Sequence, residues 1–432
     1  MGQMLNSYFK LSENGTTVRT ELLAGVTTFL TMVYIIFVNP SILQAAGMDQ
    51  GAVFVATCVA AAVGTLIMGC YANYPVALAP GMGLNAYFTY GVVLGMGHTW
   101  QVALGAVFVS GLLFVLLSLL PVRGWIIDSI PKSLKMAISA GIGLFLAIIA
   151  LKNAGLVVDH PATLVTLGDV TSAPALLASA GFLVTAALSA WRVPGAIIIA
   201  ILGVTAVGVA LGVSPAQGVF SLPPSVAPTF LQMDISGALE VGLITIIFAF
   251  LFVDLFDTAG TLVGIAHRAG MLDEQGRLPR LRQALLADST ATVVGAIMGT
   301  STTTSYIESA AGVNAGGRTG LTAVTVAVLF LLCLFVSPLA ATIPPYATAP
   351  ALLFVACLMV RGLAEIDWDD VTEVAPAVVT AVSMPLTFSI ATGIGLGFIT
   401  YAGIKILTGR ASEAGTAVIV LSVAFIVKFA VV

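Results

Sequence analysis

The sequence predicts an all-α polytopic membrane protein whose fourteen transmembrane segments form two inverted repeats of seven. Three observations carry that prediction. The chain has 432 residues, 59% of them hydrophobic and 8% charged, where a soluble domain carries about 25% charged residues. Residues 50–122 contain no Asp, Glu, Lys or Arg, a length sufficient for roughly three spans of about 20 residues each. The positive charges, finally, sort to one side of the membrane once the apolar runs are counted.

Apolar runs bounded by charges, prolines and glycines fall near 22–42, 52–71, 76–95, 101–120, 132–150, 174–191 and 194–213, then near 239–265, 284–299, 302–315, 319–341, 346–361, 374–389 and 391–408. They are continuous rather than alternating with period two, so the spans are helices and not barrel strands. With a cytoplasmic N-terminus (Lys10, Arg19), positives follow segment 4 (Arg123, Lys132, Lys135), segment 6 (Arg192) and segment 8 (Arg268, Arg277, Arg280, Arg282). Others follow segments 10 (Arg318), 12 (Arg361) and 14 (Lys405, Arg410), and only Lys152 and Lys428 of the 16 fall elsewhere. A wrong segment count scrambles this pattern. The further apolar stretch 415–432 lies outside the count, and its spanning is left open.

Fourteen divides into halves of seven, and an odd-numbered repeat gives halves of opposite topology. The third segment of each half is abnormal. Segment 3 reads 75-PVALAPGMGLNAYF-88, and segment 10 opens with the hydroxyl run of 301-STTTSYIESAAGVNAGG-317. Gly- or Pro-interrupted segments at corresponding positions of two halves point to a central transport site. Unwound backbone at that depth is tolerable only inside protein or beside a cavity.

Cys58, Cys70, Cys333 and Cys357 are scattered without CxxC spacing and read as small buried hydrophobes, and the three histidines form no metal cluster. The first 21 residues are polar and charged, so no cleavable signal is expected. Most acidic residues fall in loops or at segment ends. Asp254 and Asp257 in segment 8 and Glu308 in segment 10 do not. A charge at the bilayer centre costs about 2.5–3.5 kcal/mol on insertion scales, so these three are functional candidates. Asp288 is placed near the interface.

In 250-FLFVDLFDTAGTLVGIA-266, Asp254, Asp257 and Thr261 are spaced i, i+3, i+7 and share a helix face, with Gly260 allowing close approach. Tyr306 and Glu308, and in segment 3 Leu84, Asn85 and Ala86, stand at half-helix starts, where backbone N–H groups lack helical partners. Facing N–H donors with carboxylates opposite suit a planar heterocycle carrying both donors and acceptors.

The stretches 16-TTVRTELLAGVTTFLTMVYIIFVNP-40, 79-APGMGLNAYF-88, 254-DLFDTAGTL-262, 305-SYIESAAGV-313, 316-GGRTGLTA-323 and 384-MPLTFSIATGIGLGF-398 resemble the AzgA-like purine permeases of the nucleobase–cation symporter superfamily, which includes the nucleobase–ascorbate transporters. The resemblance covers nearly the whole chain. It implies a core domain from 1–125 and 235–341, a gate domain from 126–234 and 342–432, and short strands before the half-helices of segments 3 and 10. It implies proton symport of hypoxanthine, guanine or adenine across the cytoplasmic membrane by an elevator movement, with homodimers as in related families and the lipid bilayer as surroundings. No cofactor, metal or nucleic acid is expected.

Carried over by position, Asp257 and Glu308 match the substrate-binding carboxylates and Asn85 the polar position of segment 3, while Asp254 matches less closely. Thr31 and Thr261 are expected to line the same cavity. Glu308 would accept from purine N–H groups, and Asp257 would accept another or carry the proton, with Asp254 as a further proton-coupling candidate. Backbone N–H groups around Asn85 and Ser305–Tyr306 would serve the acceptors of the base. Phe88, Phe256 and Tyr306 are candidates to stack on it, with a core role the favoured reading for any one of them in a chain with 22 Phe.

Two other readings compete. An anion transporter of the related sulfate–bicarbonate fold is opposed by carboxylates in the site. A polytopic prenyltransferase-like enzyme is suggested by the DxxD spacing of 254-DLFD-257. Its required second acidic cluster, 365-EIDWDDVTE-373, sits in an expected loop.

Overall fold

Segment 1 shows how local sequence sets the elements. Thr17 stands in extended backbone and its side chain accepts from Thr20 N–H, starting a helix over Val18–Met32. At Val33–Tyr34 the bonding tightens, with Ile36 N–H donating to Val33 O and Phe37 N–H to Tyr34 O. The helix resumes over Ile35–Gln44 with Pro40 inside. Pro40 lacks an N–H and its ring crowds the carbonyl of residue 36, so a break just upstream relieves the segment. The apolar run alone suggests one straight helix.

The computed structural model describes residues 2–120, 130–240, 244–272 and 278–431. Arg123, Arg277, the expected domain boundary at 125/126 and part of the expected start of segment 8 lie outside the described residues. Segment 2 is Gln50–Ile67, extended by a wider turn over Met68–Ala72; segment 4 is Trp100–Leu119 and segment 5 Lys132–Asn153. Segments 6 to 9 are Ala173–Ala190, Ala196–Ala210, Ile244–Ala269 and Leu281–Met298. Segment 11 begins as Gly320–Cys333, and segments 12 to 14 are Pro345–Val360, Val371–Thr387 and Ile390–Leu407. All fourteen expected segments have a counterpart. Among the described residues nine helices are long and apolar enough to cross a membrane.

Segments 3 and 10 are the broken ones. Strand β1 (Leu78–Pro80) precedes Met82–Ala86, which continues as wider turns over Tyr87–Gly95. The corresponding strand of segment 10, Thr303–Ser305, precedes the short helix Ser309–Asn314. The two strands pair antiparallel, Leu78 opposite Ser305 and Pro80 opposite Thr303, and all six residues are buried. Gly81 N–H donates to Thr302 O at 2.9 Å and Tyr306 N–H to Ala77 O at 3.0 Å, so extended backbone is satisfied inside the protein. A Cβ at Gly81 would lie 2.7 Å from Thr304 Cγ2, which restricts that crossing to glycine.

Segments 1–4 and 8–11 pack mainly on one another, with 9 against 2 and 4, and 11 against 1 and 2. Segment 12 packs on 5 and 6, and segment 13 on 5 and 14. Two features lie outside the fourteen-segment count. An exposed hairpin, Val157–His160 with Leu164–Leu167, joins segments 5 and 6. The stretch after segment 14 is a helix, Ala411–Val431, non-helical at Gly415 and packed on segment 14. It is held there by Lys405, fully buried, whose Nζ lies 2.7 Å from Glu373 Oε1 and 2.8 Å from Glu413 Oε2.

Candidate functional site

The crossing of the two broken segments closes one end of a cavity of about 2260 Å³. Segment 1 lines it with Thr27, Thr31 and Tyr34, and segment 3 with Gly81–Gly83. Segment 8 contributes Phe256, Asp257, Gly260 and Thr261, and segment 10 contributes Thr304–Glu308.

Glu308 stands at the N-cap position of Ser309–Asn314, and its side chain makes no cap bond. Instead the carboxylate reaches segment 1, where the Tyr34 hydroxyl donates to Oε1 at 2.7 Å. Tyr34 is fully buried, and Glu308 still borders the cavity. Thr31 donates to Thr28 O at 2.7 Å and lies 3.4 Å from Glu308 O, which ties segment 1 to the turn carrying Glu308. Asp257 faces the cavity from segment 8 and is exposed within it. Two carboxylates on different segments thus border one water-accessible space.

The other sequence-derived candidates divide into cavity and second layer. Thr31, Thr261, Ser305 and Tyr306 line the cavity. The Tyr306 hydroxyl donates to Pro80 O at 2.6 Å, so it secures the strand crossing. Leu84, Asn85 and Ala86 lie fully or almost fully buried behind Gly81–Gly83. Asn85 Oδ1 accepts from the Ser301 hydroxyl, and its Nδ2 has no hydrogen-bond partner among the described residues. Asp254 is likewise behind the wall, 2% exposed, with the Thr292 hydroxyl 3.0 Å from Oδ2. It shares the helix face of Asp257 but sits one turn away, where segment 9 covers the helix. Phe88 is a core residue, whereas Phe256 lines the cavity and stacks on Phe252 with centroids 6.1 Å apart. Gly260 opens onto the cavity, and a Cβ there meets nothing within 4 Å, so it is not a close-approach glycine.

Asp288 is the clear departure from expectation. It is fully buried, and Ser305 Oγ donates to its Oδ1 at 2.8 Å. Segment 9 begins at Leu281, so Asp288 lies two turns inside, against the strand of segment 10. Segment-end counting misplaces it because the polar start of segment 9, with Arg282 and Gln283, is itself helical. Tyr34 was also absent from the candidates. Its position three residues after Thr31 on an expected cavity face was the available signal.

A membrane-spanning fold with two carboxylates bordering a cavity at paired broken segments defines a solute transporter, not an enzyme. A model of the Permease family matches residues 19–396, and the chain belongs to that family. It is 51% identical to the adenine permease AdeP of Escherichia coli (strain K12), over 98% of this chain and 96% of that one. It is 46% identical to the guanine/hypoxanthine permease PbuG of Bacillus subtilis (strain 168), over 98% of this chain and 99% of that one. Among solved structures, the transmembrane domain of the cyanobacterial bicarbonate transporter BicA superposes with a TM-score of 0.63 at 15% identity, covering 89% of this chain and 97% of that one. That likeness concerns the fold alone.

Proposed function

We propose that the protein imports purine nucleobases with a proton, binding the base between segments 8 and 10 and moving segments 1–4 and 8–11 as a core against the remaining gate. The observation that carries the reading is Glu308, held at its helix start by Tyr34 and bordering the same cavity as Asp257. The free carboxylate oxygens accept from ring N–H groups. Of the backbone N–H groups expected to serve ring acceptors, those of Gly81 and Tyr306 are held by Thr302 O and Ala77 O in the strand crossing. This leaves the first-turn N–H groups of Met82 and Gly83 for that role, and Phe256 offers an aromatic face. The names of the relatives, an adenine permease and a guanine/hypoxanthine permease, support the same cargo class.

Charge carried through the bilayer is costly. Proton and base arriving together neutralise and satisfy the carboxylates before they travel, which is the basis of coupling in this reading. The N-terminus faces the cytoplasm in the orientation given by the Lys and Arg pattern. An anion as cargo is disfavoured, since it would face two carboxylates.

The test is proton-driven uptake of labelled adenine and hypoxanthine by cells or vesicles holding the full chain. Glu308→Ala and Asp257→Ala should abolish uptake while the protein still inserts. Normal uptake in Glu308→Ala would sink the assignment.

A further inference from the structure

The cavity that Asp257 and Glu308 border is lined elsewhere by five cations, Lys135, Arg192, Arg280, Arg282 and Arg361. They come from the starts of segments 5 and 9, the turn between 6 and 7, and the end of segment 12. Counting segments places all five on the side of the chain's N-terminus. The cavity's remaining carboxylate is Glu365, which lies 2.9 Å from Lys132. Arg192, Arg280, Arg282 and Arg361 form no ion pair among the described residues. Arg280 has its guanidinium 5.1 Å from the centre of the Tyr74 ring.

Topology alone does not account for this wall. A bias toward positive loops puts cations on that side, but it requires neither convergence on one cavity nor that Arg192, Arg282 and Arg361 stand there without an ion pair among the described residues. Most cations elsewhere on that side are engaged. Lys10 pairs with Glu13, Arg410 with Asp370 and Glu413, and Lys405 with Glu373 and Glu413. Arg318 donates to Val313 O and Gly317 O. Among the cations whose side chains are described, Arg19 is the exception, and it lies outside the cavity.

We propose that the arginine wall binds the phosphate of a purine nucleoside monophosphate, a phosphorylated form of the cargo, and that this ligand obstructs base movement from that side. The inference rests on the purine reading given above. A phosphate monoester carries about −1.5 to −2 charge at pH 7 and three acceptor oxygens. Planar guanidinium groups match those oxygens in bidentate pairs better than lysine does. The volume of about 2260 Å³ exceeds the roughly 300–1,000 Å³ of a pocket for a drug-sized ligand, leaving room for sugar and phosphate beyond the base. The free base is uncharged, so it gains little from the same wall and passes it. Anionic lipid headgroups present the same phosphate chemistry at a membrane interface, and the test separates the two sources.

Labelled adenosine 5′-monophosphate is titrated onto the full chain in neutral-lipid nanodiscs. The double variants Arg192→Gln/Arg361→Gln and Arg280→Gln/Arg282→Gln are titrated alongside. Saturable binding is expected, weakened about tenfold or more in each double variant, as loss of charge-assisted hydrogen bonds requires. Uptake of labelled base without nucleotide should stay at the level of the unmodified chain. Binding that is absent, or unchanged in both variants, overturns the proposal. Displacement by inorganic phosphate as effective as by nucleotide overturns the purine assignment. Complete suppression in phosphatidylglycerol nanodiscs assigns the wall to lipid and overturns it as well. Failure of the underlying purine reading looks different: the unmodified chain then takes up no labelled base at all.

Discussion

The Tyr34 hydroxyl donates to Glu308 Oε1 at 2.7 Å, joining residues 274 positions apart in sequence. The bond spans segment 1 and the start of the half-helix in segment 10. It selects which oxygen of Glu308 faces the cavity, and it fixes the rotamer of a carboxylate that otherwise has no cap bond to hold it. Tyr34→Phe keeps the ring and removes that donor. A hydrogen bond to a charged group is worth about 1.5–3 kcal/mol. Labelled-base uptake should therefore show an affinity loss of roughly tenfold or more at unchanged protein level. Unchanged affinity would mean that Glu308 is oriented by something else.

A second relationship ties segment 1 to segment 11, about three and a half turns below. Glu21 is fully buried, and its Oε1 accepts from Arg318 N–H at 2.9 Å. Its Oε2 accepts from Thr319 N–H at 3.3 Å, Thr322 N–H at 3.2 Å and the Thr322 hydroxyl at 2.6 Å. A carboxylate from segment 1 thus supplies acceptors to the orphan donors that start segment 11. Glu21→Ala removes the acceptor of Arg318 N–H and Thr319 N–H, while Thr322 N–H keeps Thr319 O at 3.2 Å, and a buried donor left unpaired costs about 1–3 kcal/mol. The melting temperature of the purified chain in detergent should fall by several degrees, and Glu21→Gln should recover part of the loss. A variant melting with the parent would remove this cap from the account.

Close approach between segment 1 and the half-helix depends on Gly312. A Cβ there would collide with Thr28 Oγ1 and would lie 2.6 Å from Ala24 O. The backbone atom cannot swing aside, so Gly312→Ala must push the half-helix outward. Overpacking typically costs about 1–3 kcal/mol. The displacement also carries Glu308, so uptake should fall further than stability does. Full uptake in Gly312→Ala would show that the site tolerates that shift.

Outside the membrane, Asp370 ties the start of segment 13 to the connection after segment 14. Its carboxyl is held at about 2, first by the Thr372 hydroxyl and then by the Arg410 guanidinium. The folded value lies below the ordinary 3.8, so the contribution is complete above the unfolded value. It disappears as pH falls through about 2. Asp370→Asn should therefore lower thermal stability at neutral pH, and the difference should close between about pH 4 and pH 2. A gap that persists at pH 2 would exclude ionisation of Asp370 as its source.

Segment number and the two abnormal segments were legible in the sequence because each depends on local composition. A helix must supply its own backbone hydrogen bonds in lipid, so a Pro–Gly stretch such as 75–83 or a hydroxyl run such as 301–305 marks itself. Asp257 and Glu308 were legible for the same reason, since a carboxylate amid apolar residues has few uses. Asp254 carried an equal local signal, yet it stands behind the wall because segment 9 covers its turn.

What only the tertiary structure decided is which polar groups meet. Asp288 and Glu21 look like segment-end residues. Packing of segment 9 inside 2 and 4, and of segment 11 on segment 1, makes them buried acceptors. Tyr34 carries only its spacing from Thr31 as a mark, and an aromatic in an apolar helix is ordinarily core. Its role follows from the break at Val33–Tyr34 and the arrival of a half-helix from nearly three hundred residues away. Hydropathy and helix bonding act over one or two turns, so sequence determines the spans. The partner of a buried hydroxyl or carboxylate is chosen by chain crossings, and those exist only once the segments have packed.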